Sequence, residues 1–431
     1  MKPEKPSNLE FPFDSGSASV SSSPRSEKGD ASISGLEKWL LRKLIKEIGD
    51  PSLRVILWDG KELFRTTPEP KSGLIIHDRS ALRRLLSNPG LNFGDEYSTG
   101  HIDVEGGLVN FVETLHQAKS MPSKSSHLQR LLLGLSNRPR CNTLSGSRQN
   151  IHCHYDIGNN FYRLWLDQEM QYTCAYFPDP SMILEAAQAA KVDHICRKLQ
   201  LKPGEQVVEA GCGWGGTALH MAKHYGVSVK AFNISHEQIV VARERAKVEG
   251  LQDRVEFIED DYRNIAGKFD AFVSVGMLEH VGVENYRELG DVINRSLLPG
   301  GRGLIHSIGQ NQAEPLNAWI EKRIFPGAYP PTLQQMLKVL EPWAFSVLDV
   351  ENLRLHYAKT IEHWLARFER HADKIEEMFD ERFVRAWRLY LASSIASFNT
   401  GALQLFQVLF TRSDNNNLPW SRAYLYTPSE K

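Results

Sequence analysis

The residues that could do chemistry in this chain gather around one stretch, Val207-Val208-Glu209-Ala210-Gly211-Cys212-Gly213-Trp214-Gly215-Gly216. Two β-branched residues and an acid run straight into a cluster of glycines, the composition of a loop that lets a ligand approach the backbone. Glycine is needed where a side chain would block that approach, or where a turn takes dihedrals that other residues adopt only at a cost. A helix starting directly behind the loop adds unpaired N–H groups. A tight turn that binds nothing would use the same glycines, so the surrounding elements must decide. Further polar groups follow downstream: Asn233 to Gln238, Asp260-Asp261-Tyr262, Gly276-Met277-Leu278-Glu279-His280, and His306 with Ile308.

Those groups share one relation to the elements that carry them. Strands are expected at Gln206–Ala210, Val227–Asn233, Val255–Glu259, Ala271–Val275 and Gly303–Ile308, and helices at Leu184–Leu199, from Thr217 to Tyr225, Ser235–Glu249 and Asn285–Ser296. Strand and helix alternating at this spacing predict a parallel, doubly wound α/β sheet. Ligands in such sheets bind beyond the carboxyl ends of the strands. The groups named above fall at or just past the carboxyl end of a strand.

Upstream, residues 1–35 are rich in serine, proline and charge and predict a disordered tail. Residues 36–120 read as a small accessory α+β domain. It has a helix from Leu36, strands at Arg54–Leu57 and Gly73–His77 around a turn at Asp59-Gly60, and helices near Ser80–Leu86 and Leu108–Gln117. Residues 121–150 form a basic linker: no acid occurs between Glu113 and Asp156, while Lys119, Lys124, Arg130, Arg138, Arg140 and Arg148 do. Two readings stay open for it, a solvated linker or a surface for anionic headgroups, where each cation adds about 1 kcal/mol. Residues 151–431 read as the catalytic domain. Its end is expected to be largely helical at Thr360–Met378 and Glu381–Phe410, with apolar positions that suit either a core or a greasy cover over a lipid cleft.

Composition excludes several classes. A net charge of -1 gives no global field for nucleic acid. Five scattered cysteines provide neither a disulfide framework nor a CxxC metal site, and fit a reducing cytosol. His152 and His154 invite a zinc reading, but no second His or Cys pair at ligand spacing follows. No apolar run reaches membrane-spanning length, and no signal peptide opens the chain, so membrane contact is expected to be peripheral.

Gly211, Gly213 and Gly216 satisfy a dinucleotide fingerprint as well as an S-adenosylmethionine (SAM) loop. A dinucleotide site would want an acid at the end of the second strand, and that strand ends in Phe232-Asn233. Instead the acid, Glu209, precedes the first glycine, a form that resembles motif I of class I SAM-dependent methyltransferases.

With those residues assembled, the chain resembles the cyclopropane-fatty-acyl-phospholipid synthases, the family that includes the mycolic acid cyclopropane synthases. The resemblance runs from about Trp39 to Arg412. It is carried by His154-Tyr155-Asp156-Ile157-Gly158-Asn159, Met170-Gln171-Tyr172-Thr173-Cys174-Ala175-Tyr176, the glycine loop, Ile234-Ser235-His236-Glu237-Gln238, Val275 to Gly282, Leu304 to Gly309 and Ile324-Phe325-Pro326-Gly327. It implies a Rossmann-like class I fold. It also implies a reaction in which an acyl-chain π bond attacks the SAM methyl, leaving a carbocation that loses a proton and closes a three-membered ring. Aromatic faces stabilise such a cation, and a base must stand within reach of the proton.

The resemblance assigns that base to a bound bicarbonate, held by the backbones of Cys174 and Ile308 and the side chains of Glu279, His306 and Tyr357. It assigns Tyr172, Thr173 and Gly211 to Gly216, with Cys212, Gly213, Trp214 and Gly215, to the methionine end of SAM. Gln238, beside Asn233 and Ser235, goes to the ribose, and Asp261 and Tyr262 to the adenine. Ser394 stands where many members carry a suspected cysteine, which rules out a covalent thiol role here. The implied partners are an unsaturated membrane phospholipid, met peripherally at the inner face of the cell membrane from the cytoplasm, and a second copy in a homodimer. Two alternatives remain open: a relative that yields methyl- or methylene-branched chains or methylates a small amine, and a non-catalytic SAM- or membrane-binding protein.

Overall fold

The protein is seen here as a computed structural model that describes residues 32–119 and 157–426. Most of the expected tail, the basic linker, and His152 to Asp156 lie outside the described residues. The chain packs as two compact units. The described part of the first comprises residues 32–119, 317–326 and 371–400, and that of the second comprises 157–316, 327–370 and 401–426. Two segments that the sequence reading placed in the catalytic domain thus pack with the accessory domain.

In the first unit, strands β1 (Leu53–Ile56), β2 (Glu62–Arg65), β3 (Ser72–Ile76) and β4 (Ile102–Glu105) form a sheet in the order β2-β1-β3-β4. The Asp59-Gly60 turn joins β1 to β2, and β1 pairs with β3 in parallel, so the turn does not link the two strands read from the sequence. Strand β2 escaped notice because it is short and half exposed, with no buried run to mark it. Helix Gly35–Glu47 begins at a capping box, Ser34 with Glu37, and so cuts into the end of the expected tail. Helix Glu381–Thr400 packs against helices Pro89–Ser98 and Leu108–Lys119 of the same unit, and Arg385 reaches Asp103 at 2.6 Å.

The second unit is a seven-stranded sheet. Its strands are β5 (Gln206–Ala210), β6 (Ser228–Asn233), β7 (Val255–Glu259), β8 (Phe269–Val275), β9 (Leu297–Gly309), β10 (Phe345–Asn352) and β11 (Gln404–Arg412), in the order β10-β11-β9-β8-β5-β6-β7. Strands β5 to β9 run parallel, as their alternation with helices predicts, and β11 lies antiparallel between β9 and β10. Helices cover both faces: Val207 joins the core with Ile195, Leu219 and Ile239, while its neighbour Val208 joins the opposite core with Leu289 and Ile293. This is the doubly wound, Rossmann-like class I arrangement.

The C-terminal reading needs correction. The expected helix Glu381–Phe410 stops at Thr400, where Gly401 takes φ +75°, and the chain continues as β11. Strand β11 is buried along nearly its whole length, so its sequence lacks the polar alternation of a half-exposed strand. Such a run cannot be told from a buried helix by periodicity. The expected helix Thr360–Met378 is two helices, Arg354–Arg370 and Ala372–Met378.

Candidate active site

Strand order reverses between β5 and β8: β6 and β7 lie to one side of β5, and β8 and β9 to the other. A crevice opens at the carboxyl ends of strands at such a switch point. Here it is a cleft of about 1070 Å³, counting its open mouth, bordered by the loop after β5, by Val275 at the end of β8 and by Gly276 and Met277 after it. The glycine loop divides its labour. Gly213 lines the cleft at φ +54°, and a Cβ there would meet no protein atom within 4 Å. Gly215, at φ +84°, sits against the fold: a Cβ would come within 2.5 Å of the Phe257 ring.

Of the residues named from the sequence for the cofactor, all but Gly215 and Ser235 line the cleft. Ser235 is fully buried and caps the helix His236–Val248, its Oγ accepting from the Gln238 N–H at 3.4 Å. Asn233 Nδ2 donates to Gln238 Oε1 at 2.7 Å, which couples the end of β6 to that helix. Asp261 is buried and bound by Arg263 at 3.1 Å, and the buried Tyr262 hydroxyl has no hydrogen-bond partner. Glu209 is 1 % exposed with one carboxylate oxygen unpartnered. Burial pushes its pKa up to about 8, opposed by the Lys191 charge.

The cleft is also lined by Gln171, Asp260, Arg263, Met277 and His280, which the sequence reading did not select for the cofactor. Burial lowers the His280 pKa to about 4, so its imidazole is neutral at physiological pH. Arg245 binds the Glu169 carboxylate and donates to the Trp214 carbonyl at 3.1 Å, tying the segment before Tyr172 to the glycine loop. Only its position on the inward side of a helix marks Arg245 in the sequence.

Tyr172 stands where the cleft meets a buried aromatic cluster. Its ring lies 5.5 Å from Tyr162, 5.2 Å from Trp165 and 5.3 Å from Trp364, and Trp364 is 5.9 Å from Tyr357. Helix Arg354–Arg370 fastens the next residues: the Ala175 N–H donates to Thr360 Oγ1 and the Phe177 N–H to His356 Nδ1, each at 3.0 Å.

The residues expected to hold a base come together in two groups. Glu279 accepts from Ser307 Oγ at 2.7 Å and from the Ile308 N–H at 3.2 Å, so that N–H faces the carboxylate. Burial raises the Glu279 pKa. Cys174 and Tyr357 share the Leu353 carbonyl, which the thiol meets at 3.8 Å and the Tyr357 N–H at 3.1 Å. Burial also pushes up the Cys174 pKa, so it stays a thiol. His306 belongs to neither group: Nδ1 meets Gln407 Nε2 at 3.1 Å, and Nε2 is buried without a partner. Burial lowers its pKa well below the usual value, so a ring held by Gln407 at Nδ1 has Nε2 as its only open position. Ser394 lies in the first unit, on helix Glu381–Thr400, its hydroxyl donating to the Tyr390 carbonyl at 2.9 Å.

Residues 143–408 match the family described as mycolic acid cyclopropane synthetase, and residues 40–127 match a domain of unknown function. The cyclopropane-fatty-acyl-phospholipid synthase of Escherichia coli K12 is 37% identical over 343 residues, covering 79% of this chain and 88% of the relative. A probable fatty acid methyltransferase of Pseudomonas putida is 34% identical over 394 residues, covering 87% and 96%. Among solved structures, mycolic acid cyclopropane synthase CmaA1 complexed with SAH and CTAB aligns with a TM-score of 0.59 at 27% identity. That alignment covers 62% of this chain and 98% of the other.

Proposed function

This chain belongs to the mycolic acid cyclopropane synthetase family and is a SAM-dependent methyltransferase, and we propose that it converts unsaturated acyl chains of membrane phospholipids into cyclopropane fatty acids. The observation that carries the reading is the meeting, at Tyr172, of a cleft at the sheet's switch point with a buried aromatic cluster. A cationic centre formed beside those rings is stabilised by their faces, and the burial of Tyr162, Trp165 and Trp364 limits its capture by solvent.

SAM supplies an electrophilic methyl on a sulfonium. For this protein we assign Glu209, with its unpartnered buried oxygen, to the methionine ammonium. The loop Gly211–Gly216 lies along the methionine, Asn233 and Gln238 take the ribose, and Asp261 with Tyr262 takes the adenine. A bicarbonate would supply the proton acceptor. His306 Nε2, buried and unpartnered, favours an anion beside it, and Glu279, whose pKa burial raises, is a second polar group of the set. Tyr357 and the backbones of Cys174 and Ile308 complete the set, with the Ile308 N–H shared with Glu279. The alkene carbons gain the methyl carbon, the new methyl loses one proton to the base, the ring closes and S-adenosylhomocysteine departs. Ser394 has no nucleophilic part in that sequence.

The lipid is met peripherally, from the cytoplasmic face, by a homodimer. No helix of the described residues is long and apolar enough to cross a membrane. The name of the Pseudomonas putida relative favours a second reading, in which the same site yields a methyl-branched chain. Incubating the purified protein with SAM and unsaturated phospholipid vesicles, then analysing the fatty acids by gas chromatography with mass spectrometry, separates them. A gain of CH2 with the retention of a ring supports cyclopropanation. A methylene- or methyl-branched product would replace it with the second reading, and cofactor binding without turnover would leave a non-catalytic protein.

A further inference from the structure

Helix Leu184–Lys198 turns Gln188 and Lys191, three residues apart and so on one face, into the interior, where they are 0% and 1% exposed. Both reach the same two residues, Gln171 and Thr173. Lys191 Nζ donates to Gln171 Oε1 and, at 3.1 Å, to Thr173 Oγ1. Gln188 Nε2 donates to the backbone carbonyls of Gln171 and Thr173, at 3.2 and 2.9 Å. Tyr172, between them, therefore has both its neighbours fixed from behind, and all three residues line the cleft. On the near side Asp167 accepts from the Gln171 N–H at 2.9 Å.

A buried ammonium is costly unless opposite charge and hydrogen bonds compensate it. The titratable groups sharing its surroundings are Asp167, Cys174, Glu209 and Cys196, with His306 on β9. Only Asp167 and Glu209 among them can supply negative charge near neutral pH. We propose that Lys191 is a positioning residue for the reaction: from behind the cleft it holds Gln171 and Thr173, and with them Tyr172 between, in place for the cofactor. The proposal rests on the reading that the cleft binds SAM. Lys191 and Glu209 also ease each other's burial, the Lys191 charge lowering the Glu209 pKa and the Glu209 charge raising that of Lys191, both against desolvation.

A neutral, donor-free side chain at 191 would leave Gln171 Oε1 and Thr173 Oγ1 without this partner and Glu209 without its cation. In K191M, SAM affinity measured by calorimetry should fall about 10- to 100-fold, the range for leaving buried polar groups unpaired. The acidic limb of its pH profile should move to higher pH by on the order of one unit, the effect of losing a nearby opposite charge. K191Q, which keeps a donor without the charge, should recover part of the affinity while retaining the moved limb, and it carries the test if K191M does not fold. In the E209Q background the pH shift should vanish. A folded variant with parental affinity and an unmoved pH profile overturns the role of Lys191 while the SAM assignment stands. A parent protein that does not bind SAM overturns both.

Discussion

The glycine loop allows a test in which folding and binding separate. At Gly213 an added Cβ would meet no protein atom within 4 Å, and the residue lines the cleft, so the methyl of Gly213→Ala occupies space that only a ligand would contest. Its fold cost is the left-handed backbone at φ +54°, roughly 1–2 kcal/mol for a residue with a Cβ. That corresponds to a fall in Tm of about 2–4 °C per kcal/mol in a unit of this size class. Gly215→Ala bears a similar backbone cost at φ +84° and also drives a Cβ to 2.5 Å from the Phe257 ring and 3.0 Å from Ala242 Cβ. Overpacking of that kind adds about 1–3 kcal/mol. Gly213→Ala should therefore melt within several degrees of the parent yet lose at least ~10-fold in SAM affinity, equivalent to about 1.4 kcal/mol. Gly215→Ala should melt distinctly lower and bind SAM nearly as the parent does below its Tm. Thermal melts and calorimetry on both proteins suffice. Parental SAM affinity in Gly213→Ala would refute the reasoning, since the only open space beside that Cβ would then hold no ligand.

Glu279→Gln and His306→Gln should each lower turnover by ~10² to 10⁴, the usual worth of a general base step, with SAM affinity near parental; full turnover of either in bicarbonate-depleted buffer would place the proton acceptor elsewhere. Glu209 has its pKa raised from 4.5 to about 8. Its contribution to stability is thus fully present below 4.5 and lost as pH rises through 8, so the melting temperature of Glu209→Gln should gain on the parent between pH 5 and 8. SAM affinity of the parent should rise over the same approach to pH 8 as the carboxylate forms, and that of Glu209→Gln should stay flat. If the basic segment meets anionic headgroups, vesicle binding should fall steeply with salt, the attraction acting over roughly 10 Å at 0.1 M. A fourfold alanine variant of Arg130, Arg138, Arg140 and Arg148 that sediments with anionic vesicles like the parent would reduce the segment to a linker.

Local patterns carried far in this chain. The strand, glycine turn and helix around Gly211 to Gly216 depend on dihedrals and neighbouring residues, so they are legible without the rest of the molecule, and the residues just past each parallel strand follow from the sheet rule. Even here one distinction was hidden. Gly213 and Gly215 look alike in sequence, and only the approach of Phe257 shows that one faces the cleft and the other the core.

What the sequence alone determined was the parallel α/β sheet, the place of the glycine loop beyond β5 and the family resemblance, because each is written in residue types at short, regular spacing. Tertiary structure decided what depends on residues far apart in the chain. Strand β11 reads as more helix until β9 and β10 flank it, since burial on both faces erases the alternation that marks a strand. Helix Glu381–Thr400 reads as part of the catalytic domain until its partners prove to be Pro89–Ser98 and Leu108–Lys119. Lys191 is singled out by nothing in the sequence. Only the fold turns it inward beneath Gln171 and Thr173, and only burial among distant acids makes its charge matter.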